Sequence, residues 1–166
     1  QAELKIELRE GPDKSRPRLR RAFLSRWRSA EAPRTKPRQK KPAAWGRILK
    51  LEERSQVNED PRIAGRICSP VSLGMVLSYW GRALPSAKVA AGVYDHGAEL
   101  YGNWSFNVAF AARCGLRALA LHAESWELAE HEIASGRPLV ISHRYAQGEL
   151  SNTPLPASAG HLIALI

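Results

Sequence analysis

The sequence predicts an α+β fold, and three observations predict it. An apolar block suited to a buried helix occupies residues 70–80. More helical segments follow it, and strand-like runs at 138–142 and 161–166 come late in the chain. No βαβ alternation and no internal repeat runs through the sequence. Helices first and strands later point to α+β rather than a doubly wound parallel sheet.

The N-terminal part is different in kind. Residues 2–9 alternate polar and apolar side chains with period two, which predicts a strand, and Gly11-Pro12-Asp13 ends it as a turn. Residues 18–27 predict a second strand with Leu19, Ala22 or Phe23, and Trp27 facing inward; a helix is the alternative there. Two strands alone are marginal. Residues 1–28 therefore read as a partial β segment, the tail of a β domain whose beginning lies outside this chain. Residues 29–44 set Pro33, Pro37 and Pro42 among Arg34, Lys36, Arg38, Lys40 and Lys41, which predicts a basic, extended linker.

The net charge of +9 belongs wholly to this end. Residues 1–45 carry 14 Lys/Arg against 5 Asp/Glu, while residues 46–166 carry 11 of each. Clustered Lys/Arg can bind phosphate, so an arm at 14–41 that engages anionic polymers is one reading. No aromatic residue interleaves the linker to stack on bases, which favours a tether between domains over a nucleic-acid site.

The main domain is expected over 45–166. Residues 46–51 predict a short strand, and 52–67 a polar loop carrying Gln56. Pro70 suits the first turn of a helix, with Ser69 as its cap. Val71, Leu73, Met75, Val76, Leu77, Tyr79 and Trp80 make that helix apolar nearly all round, hence buried. Gly74 permits close packing and Gly81 stops the helix. Further helices are expected at 85–93, at 104–114 ending on Gly115, and from a Ser125 cap to a stop at Gly136. Residues 95–103 form a loop. Residues 116–121 and 138–142 predict strands, and a loop with Gly148, Pro154 and Pro156 leads to a strand headed by His161.

Bulk properties bound the function. At 166 residues the chain suits one domain plus an appendage, and a hydrophobic fraction of 44% supports a core. No apolar run reaches the roughly 18 residues of a membrane-spanning helix. The chain starts with Gln1 and shows no signal peptide, so a fragment or processed form is expected. Cys68 and Cys114 make neither a CxxC nor a Cys/His spacing, which argues against structural zinc; a disulfide between them would consume the best nucleophile. Asp95, His96 and Glu99 are irregularly spaced and read as a polar loop, and His122 and His131 as surface residues.

The chemistry centres on Cys68. A lone cysteine is most often an inert buried thiol. Cys68, however, stands at a helix start, where the positive end of the helix dipole favours an anionic group. His161 on a core strand could act as its base, with His143 as a rival. Three stretches carry a resemblance. One is Glu53-Arg54-Ser55-Gln56 ahead of Ile67-Cys68-Ser69-Pro70-Val71-Ser72-Leu73, followed by Met75-Val76-Leu77-Ser78-Tyr79-Trp80-Gly81. The second is Gly102-Asn103-Trp104-Ser105-Phe106-Asn107 ahead of Gly115-Leu116-Arg117-Ala118, and the last is Gly160-His161-Leu162-Ile163. In these, residues 45–166 resemble the papain-like cysteine peptidases related to the bacteriocin-leader peptidases, in their bacterial peptidase-like branch.

The resemblance implies a papain-like fold, with a helix-start cysteine packed on an antiparallel sheet that carries the histidine. It makes Cys68 the nucleophile, His161 the general base and acid, and Gln56 the side-chain donor to the oxyanion beside the Cys68 N–H. Asn103 and Trp104 are candidate substrate contacts, though a loop tryptophan more often plugs the core. The implied function is a thiol-dependent hydrolase acting on a peptide or protein substrate, with no metal and no cofactor. The resemblance also implies an Asp or Asn beyond the His161 strand to orient the imidazole. None stands between His161 and Ile166. Either the domain continues past this chain, or the fold is a catalytically degenerate peptide-binding module. Related bacterial proteins are often exported, which leans towards the cell envelope.

Overall fold

Helix α1, Cys68–Tyr79, is the element the others surround. The computed structural model describes residues 43–123, 125–153 and 155–166. The strands expected in 1–28, and all of the linker but its last two residues, lie outside the described residues. After α1 come α2 (Ser86–Val93), α3 (Trp104–Arg113), α4 (Trp126–Ala134), β1 (Leu139–Tyr145) and β2 (Ser158–Leu165). Two short turns, Gln56–Asn58 and Ala64–Arg66, precede α1. The arrangement is α+β, with helices ahead of a small antiparallel sheet.

The all-round apolarity of α1 follows from three separate packing partners. Leu73 and Leu77 join Val89, Val93, Phe110 and Ala111 in a core shared with α2 and α3. Val71 packs with Ile67 and Ala90. Tyr79 packs at the edge of a third cluster, built on Ala44, Leu49 and Ile133 and covered by Leu165 and Ile166. Burial of each such large side chain contributes about 1.5–3 kcal/mol. Where α2 meets α3, the Phe110 ring lies directly on Gly92: a Cβ there would come within 2.0 Å of the ring.

Three helices end in the same way. Gly81, Gly115 and Gly136 take φ of +70°, +83° and +75°. Each stands one residue past its helix cap and donates its N–H to a carbonyl three residues back: Ser78, Ala112 and Ile133. The following residues, Arg82, Leu116 and Arg137, reach back to Leu77, Ala111 and Glu132. This is the Schellman closure, and it requires the left-handed conformation that glycine adopts without strain.

Among the described residues the sheet is two-stranded and antiparallel. Leu139 pairs with Leu165, Ile141 with Ile163 and His143 with His161, before an irregularity shifts the register to Tyr145 and Ser158. β1 runs three residues beyond the expected 138–142, and β2 starts at Ser158, so His161 lies mid-strand rather than at its head. Two expected strands are corrected. Residues 47–51 have no regular secondary structure and form no ladder, with Leu49 buried and Ile48 75% exposed. Residues 116–123 likewise form none, and Leu119 and Leu121 are 41% and 49% exposed. Neither run has a partner edge among the described residues. No helix among them is long and apolar enough to cross a membrane.

Candidate active site

Cys68 is the first residue of α1, half-buried and not disulfide-bonded; Cys114 is also free. The cap is Ile67, not Ser69 as the sequence suggested, and no side chain caps the helix. Ile67 is fully buried, so the chain turns into the helix where that side chain enters the core. The first bond of the helix runs from Val71 N–H to the Ile67 carbonyl at 3.0 Å. The Cys68 N–H therefore has no acceptor within the helix, as at any helix start. Pro70 lies in the first turn, where its missing N–H costs nothing. Ser69 is buried instead, and its hydroxyl accepts a hydrogen bond from Asn107 Nδ2 on α3 at 2.7 Å. Asn107 Oδ1 is buried without a protein partner.

One turn after Cys68, Ser72 donates its hydroxyl to the Leu162 carbonyl at 3.0 Å. Residues four apart share a helix face. The Cys68 face of α1 is thus tied to the strand residue next to His161.

His161 faces His143 across the ladder, with ring centroids 5.8 Å apart and planes nearly perpendicular. His143 in turn stacks on Tyr145 at 5.2 Å. Partial burial, and then the nearby His143 imidazole, hold His161 below the ordinary histidine pKa. A neutral imidazole is the form that accepts a proton. His143 Nδ1 is buried and has no hydrogen-bond partner.

Gln56, Cys68 and His161 line one open cleft of about 190 Å³. Arg54 and Ser55 flank Gln56 there, while Val71, Met75 and Leu162 add apolar wall. No hydrogen bond joins Cys68 to His161 among the described residues; active-site bonds often tighten only with substrate bound. His143 is not part of this lining. A second hollow, of about 160 Å³, lies between Trp45, Trp126, Ile133 and Ile166 and contains neither cysteine nor histidine.

Asn103 and Trp104 lie outside the cleft lining. Asn103 caps α3, accepting from Ser105 N–H at 3.1 Å and donating to Asp95 Oδ2 at 2.7 Å. Trp104 is 46% exposed. Asp95 also accepts from the Gly97 and Ala98 N–H groups, and these bonds, that of Asn103 foremost, lower its pKa. Its carboxylate thus organises the 95–103 loop. Among the described residues no group of three or more His, Cys, Asp or Glu is placed to hold a metal.

The sequence reading missed Arg54, Ser72 and Asn107 as parts of the site's frame. Gly74 was the available signal: the close packing it permits is with Arg54, whose Nη1 would lie 3.1 Å from a Cβ at that position.

The Peptidase C39-like family matches residues 48–166. Comparison with curated proteins gave no match, and comparison with solved structures gave none. The family's match spans Gln56, Cys68 and His161 and every helix and strand described above. The chain belongs to the Peptidase C39-like family, a family of cysteine-peptidase type.

Proposed function

We propose that this domain is a thiol-dependent hydrolase that cleaves a peptide or amide bond by Cys–His acyl transfer on a papain-like scaffold. The observation that carries the reading is the convergence of Gln56 and Cys68 with the distant His161 on one cleft. Membership of a cysteine-peptidase family supports it. In this reading Cys68 Sγ attacks the substrate carbonyl carbon while His161 takes the thiol proton. The Gln56 side-chain amide and the Cys68 backbone N–H donate to the developing oxyanion. His161 passes the proton to the leaving amine, the C–N bond breaks, and a thioester remains. Water, deprotonated by His161, then attacks the thioester, and the proton returns to Sγ as the acid product leaves. The substrate is a peptide or protein, in keeping with the resemblance to the bacteriocin-leader peptidases.

The test uses a fluorogenic peptide-amide library, with iodoacetamide labelling mapped to the Cys68 peptide. Cys68→Ala and His161→Ala should each lower turnover by at least about 10³-fold, as loss of a nucleophile or its base does elsewhere. Turnover that survives Cys68→Ala sinks the hydrolase. A parent chain that binds peptides without turning them over would instead be the degenerate binding module.

A further inference from the structure

Gln56 stands in a stretch that regular secondary structure does not hold. Residues 47–55 form neither helix nor ladder, and Gln56–Asn58 is a single turn. That turn is closed only locally, by Asn58 N–H to the Ser55 carbonyl and Glu59 N–H to the Gln56 carbonyl. An oxyanion donor works only where it is held at the developing charge, and a displacement of about 1 Å forfeits much of its effect. Something else must fix this segment.

Arg54, two residues upstream, makes the connection. Its Nη1 donates to the Leu84 carbonyl at 2.6 Å, in the connection between α1 and α2. Its Nη2 donates to Glu52 Oε2 at 2.8 Å, and the same carboxylate oxygen accepts from Ser78 Oγ, in the last turn of α1, at 2.9 Å. The Arg54 side chain is only 13% exposed and lines the cleft beside Gln56. Its guanidinium fills the space over Gly74, where a Cβ would meet Nη1 at 3.1 Å. Glu52 compensates the charge and both Nη atoms are engaged, which disfavours Arg54 as a receptor for a substrate carboxylate.

We infer that Arg54 is a positioning residue: it clamps segment 52–56 to α1 and to Leu84 and thereby holds the Gln56 amide at the cleft. Its role in turnover rests on the hydrolase reading; the clamp itself does not.

The experiment is a double-mutant cycle on the same peptide-amide library, with backbone hydrogen exchange at residues 55–58. Arg54→Lys keeps the charge but loses the two-pronged donor. It should lower kcat about tenfold or more, moving KM less than about twofold, because the donor acts in the transition state. In a Gln56→Ala background the same substitution should cost nothing further. Gly74→Ala is the second probe. It crowds the guanidinium while giving α1 a better helix former, so kcat should fall with the melting temperature unchanged or raised. Both variants should speed exchange at 55–58 and leave α1 unaffected. An equal Arg54→Lys loss in both backgrounds overturns the proposal, as does unchanged exchange. If the parent shows no Cys68-dependent turnover, the hydrolase reading falls, and exchange alone decides the clamp: faster supports it, unchanged overturns it.

Discussion

The three-helix body and the two-stranded sheet hold the two halves of the cleft under different conditions. In the body, Leu77, Val89 and Val93 are wholly buried, and Phe110 closes on Gly92 without a gap. In the sheet, every residue from His161 to Leu165 is only half-buried, and Ser142 and Arg144 of β1 face solvent. Two paired strands have little stability of their own. Cys68 therefore stands on the best-packed element, while His161 stands on one that takes its stability from what it is packed against. The distance between thiol and imidazole is a property of the junction between the two regions.

The largest lesion is expected in the body. Gly92→Ala drives a methyl into the Phe110 ring, which cannot yield without displacing its buried neighbours. Overpacking of this kind costs about 1–3 kcal/mol. The denaturant midpoint should fall by the corresponding amount, with the whole domain unfolding in one transition, because α1 is common to all three apolar clusters. A sheet that melts separately while the helices hold would show the two regions to be independent.

A smaller lesion targets the junction. Ser72→Ala removes the hydroxyl that ties α1 to the Leu162 carbonyl, a bond with a net contribution of about 0.5–1.5 kcal/mol. Stability should drop within that range, whereas turnover should fall several-fold, since the bond lies between Cys68 and His161. A loss of stability with kcat and KM both unchanged would mean that the sheet keeps its place against α1 through apolar contact alone.

The same contrast governs what could be read from the sequence. The stops at Gly81, Gly115 and Gly136 were legible because a left-handed residue after a helix is a local requirement with few chemical solutions. The burial of α1 was legible because nothing but burial suits a helix apolar on every side. The strands expected at 46–51 and 116–121 failed because a local run of residues describes one strand, and a strand exists only with a partner. The order Gln56, Cys68, His161 was visible by resemblance, and the cleft they share depends on contacts that carry no residue signature. Arg54 and Ser72 both bond to main-chain carbonyls, 30 and 90 residues away. A carbonyl is the same at Leu84 or Leu162 as anywhere else, so no pattern of side chains announces it.

The smallest effect is expected where the sheet meets itself, at the His143–His161 pair. Burial first, and His143 second, hold His161 below its ordinary value of 6.5. The folded state therefore disfavours the protonated imidazole, while the unfolded chain titrates near 6.5. The stability tied to His161 is complete above 6.5 and is lost as pH falls from there towards the folded value. If His161 is the base, the acid limb of kcat/KM lies below 6.5 for the same reason. His143→Gln removes the like-charge contribution and keeps most of the burial. The limb should then move up towards 6.5 without reaching it, and the His161 ring signal in an NMR titration should move with it. A downward shift, or a kinetic limb that moves while the His161 titration stays fixed, would assign the limb to another group and remove His143 from the control of the base.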